Sequence, residues 1–405
     1  MTKKQLNKNK ILLPFGALLL AVGYGAWALT LPLFSIAGQT TVTLPTKQAE
    51  KVALNWPEYG QSAIGVAGYG VLATHGDQKS LSTASIAKVM TAVAVLRQRP
   101  LKISEQGPEI TLNQVDVDSY NNFVANDGSV VGVALGEHIS EYQALQALLL
   151  PSANNMADTL ARWAFGSIDA YTTYANKYAS QLGLSSIKIA DASGYDVDTV
   201  ASAHDLTLLG TLAMDDPVFA EIVAQPSAKI PVQGTIYNYN FQLGKSGNIG
   251  IKTGNNDGNK GAFLFANKQT VDGQEVTIVG TIMGAPDLSS ALKDSTALAL
   301  SAAKGFGIST FVRSGDKVGS YNVPEHGAVD AVVSSDLSFL TWKEMGFDTS
   351  ITLKPLDAAT AAATAVGSVT VVNSTTKVTT SVPVRLRTAT AQPGIVWRLT
   401  HPFGT

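Results

Sequence analysis

The segment from Ser82 to Leu96, STASIAKVMTAVAVL, places a serine and a lysine three residues apart at the start of an apolar run. Apolar residues recur in it at helical spacing: Ile86, Val89, Met90, Val93 and Leu96. This pattern predicts a buried helix that ends before Pro100. Ser85 and Lys88 then lie one turn apart, so the fold has to surround a lysine amine with apolar packing.

That arrangement suits a nucleophilic serine. A serine hydroxyl is a weak nucleophile until a base takes its proton. Lys88 can be that base only if its pKa falls from about 10.4 toward 7, which takes roughly 4–5 kcal/mol of differential destabilisation of the charged form. Burial supplies part of this shift, and a second cation nearby would supply more. The first turn of a helix, where we expect Ser85, also offers backbone N–H groups to a developing oxyanion.

The serine–lysine spacing does not identify the site by itself. It occurs six times, at Ser85, Ser185, Ser290, Ser301, Ser314 and Ser374. A second lysine and a proton relay must therefore be found elsewhere in the chain. LLLPSANNMAD places Ser152 and Asn154 in a turn between two predicted helices, and GIKTG places Lys252 just ahead of a predicted strand.

The K-T-G triplet has a physical rationale of its own. Lys252 adds positive potential, the Thr253 hydroxyl can hold a carboxylate, and Gly254 lets a substrate backbone approach closely. An extended peptide could then add to the edge of the sheet. A second triplet, K-S-G at Lys245–Gly247, is a competing candidate. We prefer Lys252 because a Gly-Ile pair precedes it and it lies nearer the predicted hairpin.

The order S-I-A-K, S-A-N, K-T-G resembles the serine penicillin-binding proteins and their β-lactamase relatives. The flanking segments TASIAKVMTA, ALQALLLPSANNMADTLA, IADASGYD and ASAHDLTLLG are similar to the low-molecular-mass D-alanyl-D-alanine carboxypeptidases. The similarity covers about residues 60–307. It implies an α+β, β-lactamase/transpeptidase-like domain, an antiparallel sheet with helices on both faces, followed by a small all-β sandwich.

The resemblance also implies a role for each matching residue. Ser85 would attack the bond between two D-alanines of a peptidoglycan stem peptide, with Lys88 as proton acceptor, Ser152 as proton relay and no metal or cofactor. A β-lactam would acylate the same serine. The remaining implied residues bind the peptide and its carboxylate or supply an oxyanion N–H: Asn154, Lys252, Thr253, Gly254 and Asn255.

Two positions depart from the pattern of that family. Asn155 stands where Asp is common, and Asn256 stands where a hydroxyl often helps to hold the terminal carboxylate. A D,D-endopeptidase uses the same machinery and stays open as an alternative. A class A β-lactamase is disfavoured, because S-A-N replaces S-D-N and no E-x-x-L-N segment supplies a deacylating glutamate. An inactive wall-binding scaffold is the alternative that is not an enzyme.

Composition bounds the remaining organisation. The chain has 405 residues, no cysteine and a formal net charge of −2, so nothing indicates nucleic acid as a partner. Lys3, Lys4, Lys8 and Lys10 precede a charge-free run over residues 11–34. This predicts a single-pass anchor in the cell membrane with the catalytic domain outside, although a cleaved signal peptide is the rival interpretation.

The predicted domains are an anchor at 1–37, a linker at 38–56, a catalytic domain at 57–311 and a β domain at 312–405.

Overall fold

The computed structural model describes residues 9–32, 35–44, 46–67, 69–357 and 359–402. The chain divides into two compact units. One comprises residues 52–307, and the other comprises residues 1–51 together with 308–405. The larger unit contains every residue that the sequence analysis selected for the site.

The helices of the described residues are α1 (Asn9–Thr30), α2 (Ala87–Gln98), α3 (Gln114–Ala125), α4 (Glu141–Leu149), α5 (Asn154–Phe165), α6 (Ile168–Gln181), α7 (Ala203–Met214), α8 (Pro217–Val223), α9 (Leu288–Ala303) and α10 (Ile395–Thr400).

The strands are β1 (Gly38–Thr40), β2 (Gln61–Val66), β3 (Gly70–His75), β4 (Leu81–Ser82), β5 (Glu109–Thr111), β6 (His138–Ser140), β7 (Val200–Ala201), β8 (Ser227–Ile230), β9 (Gly234–Tyr237), β10 (Asn248–Asn256), β11 (Asn259–Val271), β12 (Gln274–Met283), β13 (Phe306–Val312), β14 (Lys317–Val323), β15 (Gly327–Val333), β16 (Leu337–Trp342), β17 (Phe347–Leu353), β18 (Ala365–Asn373) and β19 (Thr379–Leu386).

The larger unit is built on an antiparallel five-stranded sheet in the order β10-β11-β12-β2-β3. Helix α7 packs on one face, where Gly210 approaches the side chains of Leu264 and Val279. Successive residues of a strand point to opposite faces. Phe263 and Phe265 therefore face the side of the sheet opposite to Leu264. Helix α9 also packs against β11 and β12. The prediction of an antiparallel sheet with helices on both faces is confirmed.

Local sequence signals explain several helix starts and turns of this unit. Ser140 and Gln143 form a capping box at the start of α4, with the side chain of each accepting a backbone N–H of the other. Ser202 caps α7. A turn at Asp272-Gly273 connects β11 to β12. The sequence does not predict helices α3 and α8. The segment of α3 is mostly polar and that of α8 is only seven residues long, so neither shows a clear helical spacing of apolar residues.

The smaller unit contains a six-stranded sheet in the order β1-β14-β15-β19-β18-β17 and a two-stranded sheet of β13 and β16. The strands from β14 onward lie within residues 312–405, the range predicted as a β domain. Strand β1, placed in the predicted linker, pairs with β14. The Ala-rich stretch from 357 to 366 forms no helix among its described residues; its threonines and their turn hydrogen bonds outweigh the propensity of alanine.

The N-terminal run forms α1, but none of the helices in the described ranges is long and apolar enough to span a membrane. The predicted transmembrane helix is therefore not confirmed. Lys3, Lys4 and Lys8 of the predicted basic flank, and Leu33 and Phe34 at the end of the apolar run, lie outside the described residues.

Candidate active site

A cleft of about 960 Å³ opens in the larger unit, between the start of α2, the turn before α5 and strand β10. It brings together six of the eight predicted site residues on its lining: Ser85, Ser152, Asn154, Thr253, Gly254 and Asn255. The other two, Lys88 and Lys252, are buried behind that lining with 0% and 2% of their surface exposed.

Ser85 lies in a single 3-10 turn, Ala84–Ile86, that runs directly into α2. Ala84 has a left-handed backbone with φ of +46°, which is rare for a residue with a side chain. Gly194 lies against the carbonyl oxygen of Ala84, where a Cβ would come within 1.9 Å of that oxygen. Strained, closely packed backbone of this kind holds the Ser85 hydroxyl in one place at the cleft.

The Lys88 amine lies 2.8 Å from Ser85 Oγ, 2.7 Å from Asn154 Oδ1 and 2.8 Å from the Ser193 carbonyl oxygen. The amide and carbonyl oxygens can only accept hydrogen bonds, whereas the hydroxyl can also donate. A neutral amine has two N–H donors and one lone pair. It can satisfy both acceptors and still accept the Ser85 proton, so the contacts match the neutral form that a general base requires.

Burial favours that neutral form. Removal from water lowers the pKa of Lys88 well below its usual value, and the nearby charge of Lys252 lowers it further. Asp191 and Asp158 act in the opposite direction with smaller effect. The second cation that the sequence analysis required is therefore present.

Lys252 lies on β10, the edge strand of the sheet. Burial lowers the pKa of Lys252 to about 7. Its amine donates to the Thr253 carbonyl oxygen at 3.1 Å and approaches Thr253 Oγ1 at 3.5 Å. An ammonium has three donors, so this lysine keeps capacity for a further acceptor. The competing candidate, Lys245, lies exposed in a turn before β10.

Ser152 occupies the turn between α4 and α5 with φ of +66°. Its hydroxyl is buried, with 4% of the residue exposed, and has no hydrogen-bond partner among the described residues. Buried polar atoms are normally paired, so an unpaired one needs an explanation. A hydroxyl held by strained backbone on the wall of the cleft is suited to receive a hydrogen bond from a ligand or to pass on a proton.

The two asparagines after Ser152 have different surroundings. Asn154 directs its carbonyl oxygen at Lys88, as described, and its backbone N–H donates to the Ser129 carbonyl oxygen at 2.7 Å. Asn155 is fully buried and forms two hydrogen bonds with the backbone of Val131, one through each side-chain atom. An aspartate could accept but not donate there, so the departure at Asn155 fits its structural environment.

Gly254 of the K-T-G triplet is expected from the sequence to let a substrate backbone approach closely, but its close neighbour in the structure is the protein itself. A Cβ on Gly254 would lie 2.9 Å from the Thr83 carbonyl oxygen and 3.3 Å from the Ala84 Cβ. The close approach is therefore made by the protein's own turn beside Ser85. Asn255 falls in a register shift between Gly254 and Asn256, outside the β10–β11 ladder, and lines the cleft.

Asn256 braces the site. Its Nδ2 donates to Ser82 Oγ at 2.9 Å and to the Gly194 carbonyl oxygen at 3.2 Å, while its Oδ1 accepts the backbone N–H of Asn259. From the sequence, Asn256 is expected only to lack the hydroxyl that would help to hold a terminal carboxylate. The side chain instead fastens the β10–β11 hairpin to the turn at Gly194.

Sequence reasoning missed the segment that completes the Lys88 environment. The Asp191 carboxylate accepts backbone N–H groups of Ser193, Gly194 and Tyr195, and so holds the Ser193 carbonyl toward Lys88. The signal was present in the quoted segment IADASGYD. Aspartates in such a segment are typical of turns, and Asp191 does lie in one, but this turn is part of the site.

The lining also bears on the β-lactamase alternative. Among the described residues that line the cleft, none is a glutamate. A class A enzyme needs such a residue to activate the deacylating water.

Comparisons with known proteins agree with this geometry. The family model described as D-alanyl-D-alanine carboxypeptidase matches residues 63–286. A D-alanyl-D-alanine carboxypeptidase from Mycobacterium tuberculosis is 32% identical over 203 residues, 48% of this chain and 65% of that protein. A D-alanyl-D-alanine endopeptidase from Escherichia coli is 29% identical over 178 residues, 40% of this chain and 54% of that protein.

A crystal structure of a Streptomyces DD-transpeptidase is similar at 26% identity with a TM-score of 0.53. It covers 64% of this chain and 98% of that one. The transpeptidase-like α+β fold of the larger unit is therefore confirmed. The chain spans about two thirds or less of the length of the two curated relatives named above.

Proposed function

Because this chain belongs to the D-alanyl-D-alanine carboxypeptidase family, we propose that it is a serine hydrolase that removes the terminal D-alanine from peptidoglycan stem peptides. The observation that carries the proposal is the buried amine of Lys88, 2.8 Å from Ser85 Oγ and with its pKa lowered by burial and by the charge of Lys252.

The proposed reaction has two halves. Ser85 Oγ attacks the carbonyl carbon between the two D-alanines while its proton passes to the Lys88 amine. Ser152 then passes a proton to the departing amine of the terminal D-alanine, and an acyl-enzyme remains on Ser85. Water attacks that ester with Lys88 as base, which releases the shortened peptide and restores the serine.

The residues of strand β10 would bind the substrate. Lys252 and Thr253 would bind the terminal carboxylate of the peptide. The carboxylate would accept a hydrogen bond from the donor of the Lys252 amine that has no acceptor within the described residues. Asn154 would hold the peptide as well as Lys88. The backbone N–H groups of Ser85 and Asn255 would stabilise the oxyanion, a contribution typically worth about 10²–10³ in kcat for each donor. No step requires a metal or cofactor.

Two measurements test the proposal. A fluorescent penicillin should label the protein covalently and stay bound, and a pentapeptide stem should release free D-alanine. Ser85→Ala should abolish both signals, whereas Ser185→Ala, a change at an exposed serine with the same lysine spacing, should leave them intact. An unlabelled wild type would contradict the proposal in favour of a scaffold, and rapid loss of the label would indicate a β-lactamase.

The endopeptidase alternative rests on the similarity to the Escherichia coli enzyme. A cross-linked stem dimer distinguishes the two activities. A carboxypeptidase releases D-alanine from the monomer and leaves the dimer whole, whereas an endopeptidase converts the dimer into monomers.

We also propose that the catalytic unit works on the outer side of the cell membrane, attached through its N-terminal run. The support comes from the sequence, in which four lysines precede the charge-free residues 11–34. Fractionation of cells expressing the full chain, followed by protease treatment of intact spheroplasts, tests this. Recovery of the protein in the soluble fraction, where it is protected from the added protease, would contradict this proposal.

A further inference from the structure

Two side chains of α2 reach the same turn of the chain. Lys88 and Thr91 are three residues apart, so they lie on one face of the helix, and 0% of the surface of each is exposed. The Lys88 amine donates to the Ser193 carbonyl oxygen at 2.8 Å. The Thr91 hydroxyl donates to the carbonyl oxygen of the preceding residue, Ala192, at 2.7 Å. Two successive carbonyls of the turn are therefore held by the helix face that carries the proposed base.

A buried tyrosine fixes the direction of the Thr91 hydroxyl. The hydroxyl of Tyr171, on α6, lies 2.7 Å from Thr91 Oγ1, and none of the surface of Tyr171 is exposed. Thr91 has one hydroxyl proton and gives it to the Ala192 carbonyl oxygen, which can only accept. Tyr171 must therefore donate to Thr91. Burial raises the pKa of Tyr171, so this hydroxyl keeps its proton where the proposed reaction takes place.

The turn at residues 191–195 has a second support, which does not involve α2. The Asp191 carboxylate accepts the Ser193 backbone N–H at 3.1 Å and the Thr199 hydroxyl at 2.6 Å. These bonds hold the turn together and join it to the segment before β7. In the described part of the chain, only the bond from Thr91 and the bond from Lys88 itself connect this turn to α2 by hydrogen bonds.

The position of the Ser193 carbonyl decides where the Lys88 lone pair points. A neutral amine that donates to two fixed acceptors has its lone pair in one remaining direction, and here that direction is Ser85 Oγ. A carbonyl that moved away from the amine would release one of the two N–H groups. The amine could then rotate, and the lone pair would leave the hydroxyl for part of the time.

We infer that Thr91 and Tyr171 are positioning residues for Lys88. Through the Ala192 carbonyl, the two hydroxyls hold the next carbonyl of the turn against the Lys88 amine. Both side chains are buried and neither lines the cleft, so they act through Lys88 and not on the substrate. This role rests on the proposed function, in which Lys88 takes the proton of Ser85.

The main test is Thr91→Val, which keeps the shape of the side chain and removes its hydroxyl. We expect the plateau rate of Ser85 acylation by penicillin to fall about 10-fold, because a small misplacement of a reacting group is costly. The acid limb of the pH–rate profile should also move about one unit lower. A charged amine loses more than a neutral one when an acceptor moves away, so the pKa of Lys88 falls further.

The acid limb separates positioning from a purely structural role, because lost stability alone would not move it. The charged groups that face Lys88 in the described structure are Lys252 on β10, Asp158 on α5 and Asp191 in the turn. None of the variants changes any of them. A shift of the limb in Thr91→Val therefore reports the Ser193 carbonyl and not an altered charge.

Two further variants control for the substitution itself. Thr91→Ser restores the hydroxyl and should return the plateau rate to within about 2-fold of the wild type, with the acid limb in its original place. Thr207→Val is the matched control on α7. Thr207 is also 0% exposed, and its hydroxyl donates to Thr281 Oγ1 at 2.9 Å, outside the cleft. It should change neither the plateau rate nor the limb.

If Thr91→Val does not fold, Tyr171→Phe replaces it. This change leaves the bond from Thr91 to Ala192 and removes only the donor behind it, so we expect a fall of about 3-fold and a smaller shift of the limb in the same direction. Tyr174→Phe, one turn along α6, is its control, since the Tyr174 hydroxyl has no hydrogen-bond partner among the described residues. Tyr171→Phe with wild-type kinetics would then overturn the inference.

An acid limb that stays in place in a folded Thr91→Val, with or without slower acylation, overturns the inference while acylation of the wild type still supports the proposed function. If the wild type is neither acylated nor releases D-alanine, the proposed function fails. An NMR titration of the Lys88 ε-carbon signal, assigned with Lys88→Met, then measures the amine directly. Thr91→Val should lower its midpoint, and equal midpoints in the wild type and the variant would refute the positioning role.

Discussion

The helix side and the strand side of the cleft each bury a lysine, and the two lysines differ in their hydrogen bonding rather than in burial. Lys88, at the start of α2, has three oxygen atoms within 2.8 Å of its amine. Lys252, on β10, has only its neighbour Thr253 as a hydrogen-bond partner among the described residues. Burial lowers both pKa values, but only the fully contacted amine is held beside a nucleophile.

The comparison shows that desolvation sets whether a lysine can be neutral, whereas its partners set what it does. Lys88 has its two donors occupied by obligate acceptors, which leaves its lone pair directed at Ser85 Oγ. Lys252 has donors to spare, which suits it to a substrate carboxylate. The same substitution at Lys88 and at Lys252 should therefore have different effects on kcat and KM.

The largest expected effect is on catalysis. Lys88→Met should lower the rate of acylation by penicillin and kcat/KM for the pentapeptide about 10³–10⁴-fold, since general base catalysis is lost. Lys252→Met should act mainly on KM for the carboxylate substrate, raising it about 10–100-fold, with a smaller loss in kcat. Steady-state D-alanine release separates the two parameters.

The control for both substitutions is Lys245→Met, at an exposed lysine in the turn before β10. It should leave kcat and KM within about 2-fold of the wild type. A Lys252 variant that lost kcat as severely as the Lys88 variant would break the distinction between base and carboxylate ligand.

The second prediction concerns stability, where the pKa of Lys252 gives the sign. Its pKa is about 7 in the folded protein and near 10.5 when unfolded. Between these values the unfolded chain binds more protons, so stability rises with pH in that window. Below pH 7 the full cost of burying this amine remains. Lys252→Met should therefore raise the free energy of unfolding by roughly 2–4 kcal/mol at pH 7.

That gain should shrink as the pH rises toward 10.5, and above that value the lysine becomes neutral in both states. Denaturant unfolding at several pH values measures it. A gain that stayed constant over this range would mean that the methionine acts through packing and that the pKa of Lys252 is not depressed.

The smallest expected effect tests the brace at Asn256. Asn256→Thr removes the bonds to Ser82 and Gly194 but supplies the hydroxyl common at this position in the family. We expect a loss of about 1–2 kcal/mol, seen as a fall of roughly 3–6 °C in Tm. The change in kcat/KM should stay below about 5-fold. Asn322→Thr, on an exposed strand position of the smaller unit, is the matched control.

An increase in kcat/KM with unchanged Tm would show that Asn256 does not stabilise the fold and only replaces a hydroxyl that would bind the substrate carboxylate. Such a result would also move part of the carboxylate site from the lysine on β10 to the hairpin.

Much of the site could be predicted from the sequence because its parts are local. Ser85 and Lys88 are three positions apart, and the capping residues of α4 and α7 act within three positions. The Ser193 carbonyl could not be found in this way. It reaches Lys88 from 105 positions away, through a turn whose residues look like any other turn.

The sequence alone determined which helices and strands form around the site and which residues could supply a nucleophile, a base and a second cation. Periodicity, caps and turn chemistry act over a few residues and are therefore visible in order along the chain. Only the tertiary structure decided the state of each lysine. Desolvation and hydrogen-bond partners come from segments far apart in sequence, and these lower the pKa of Lys88 beside Ser85 and leave Lys252 with a donor to offer.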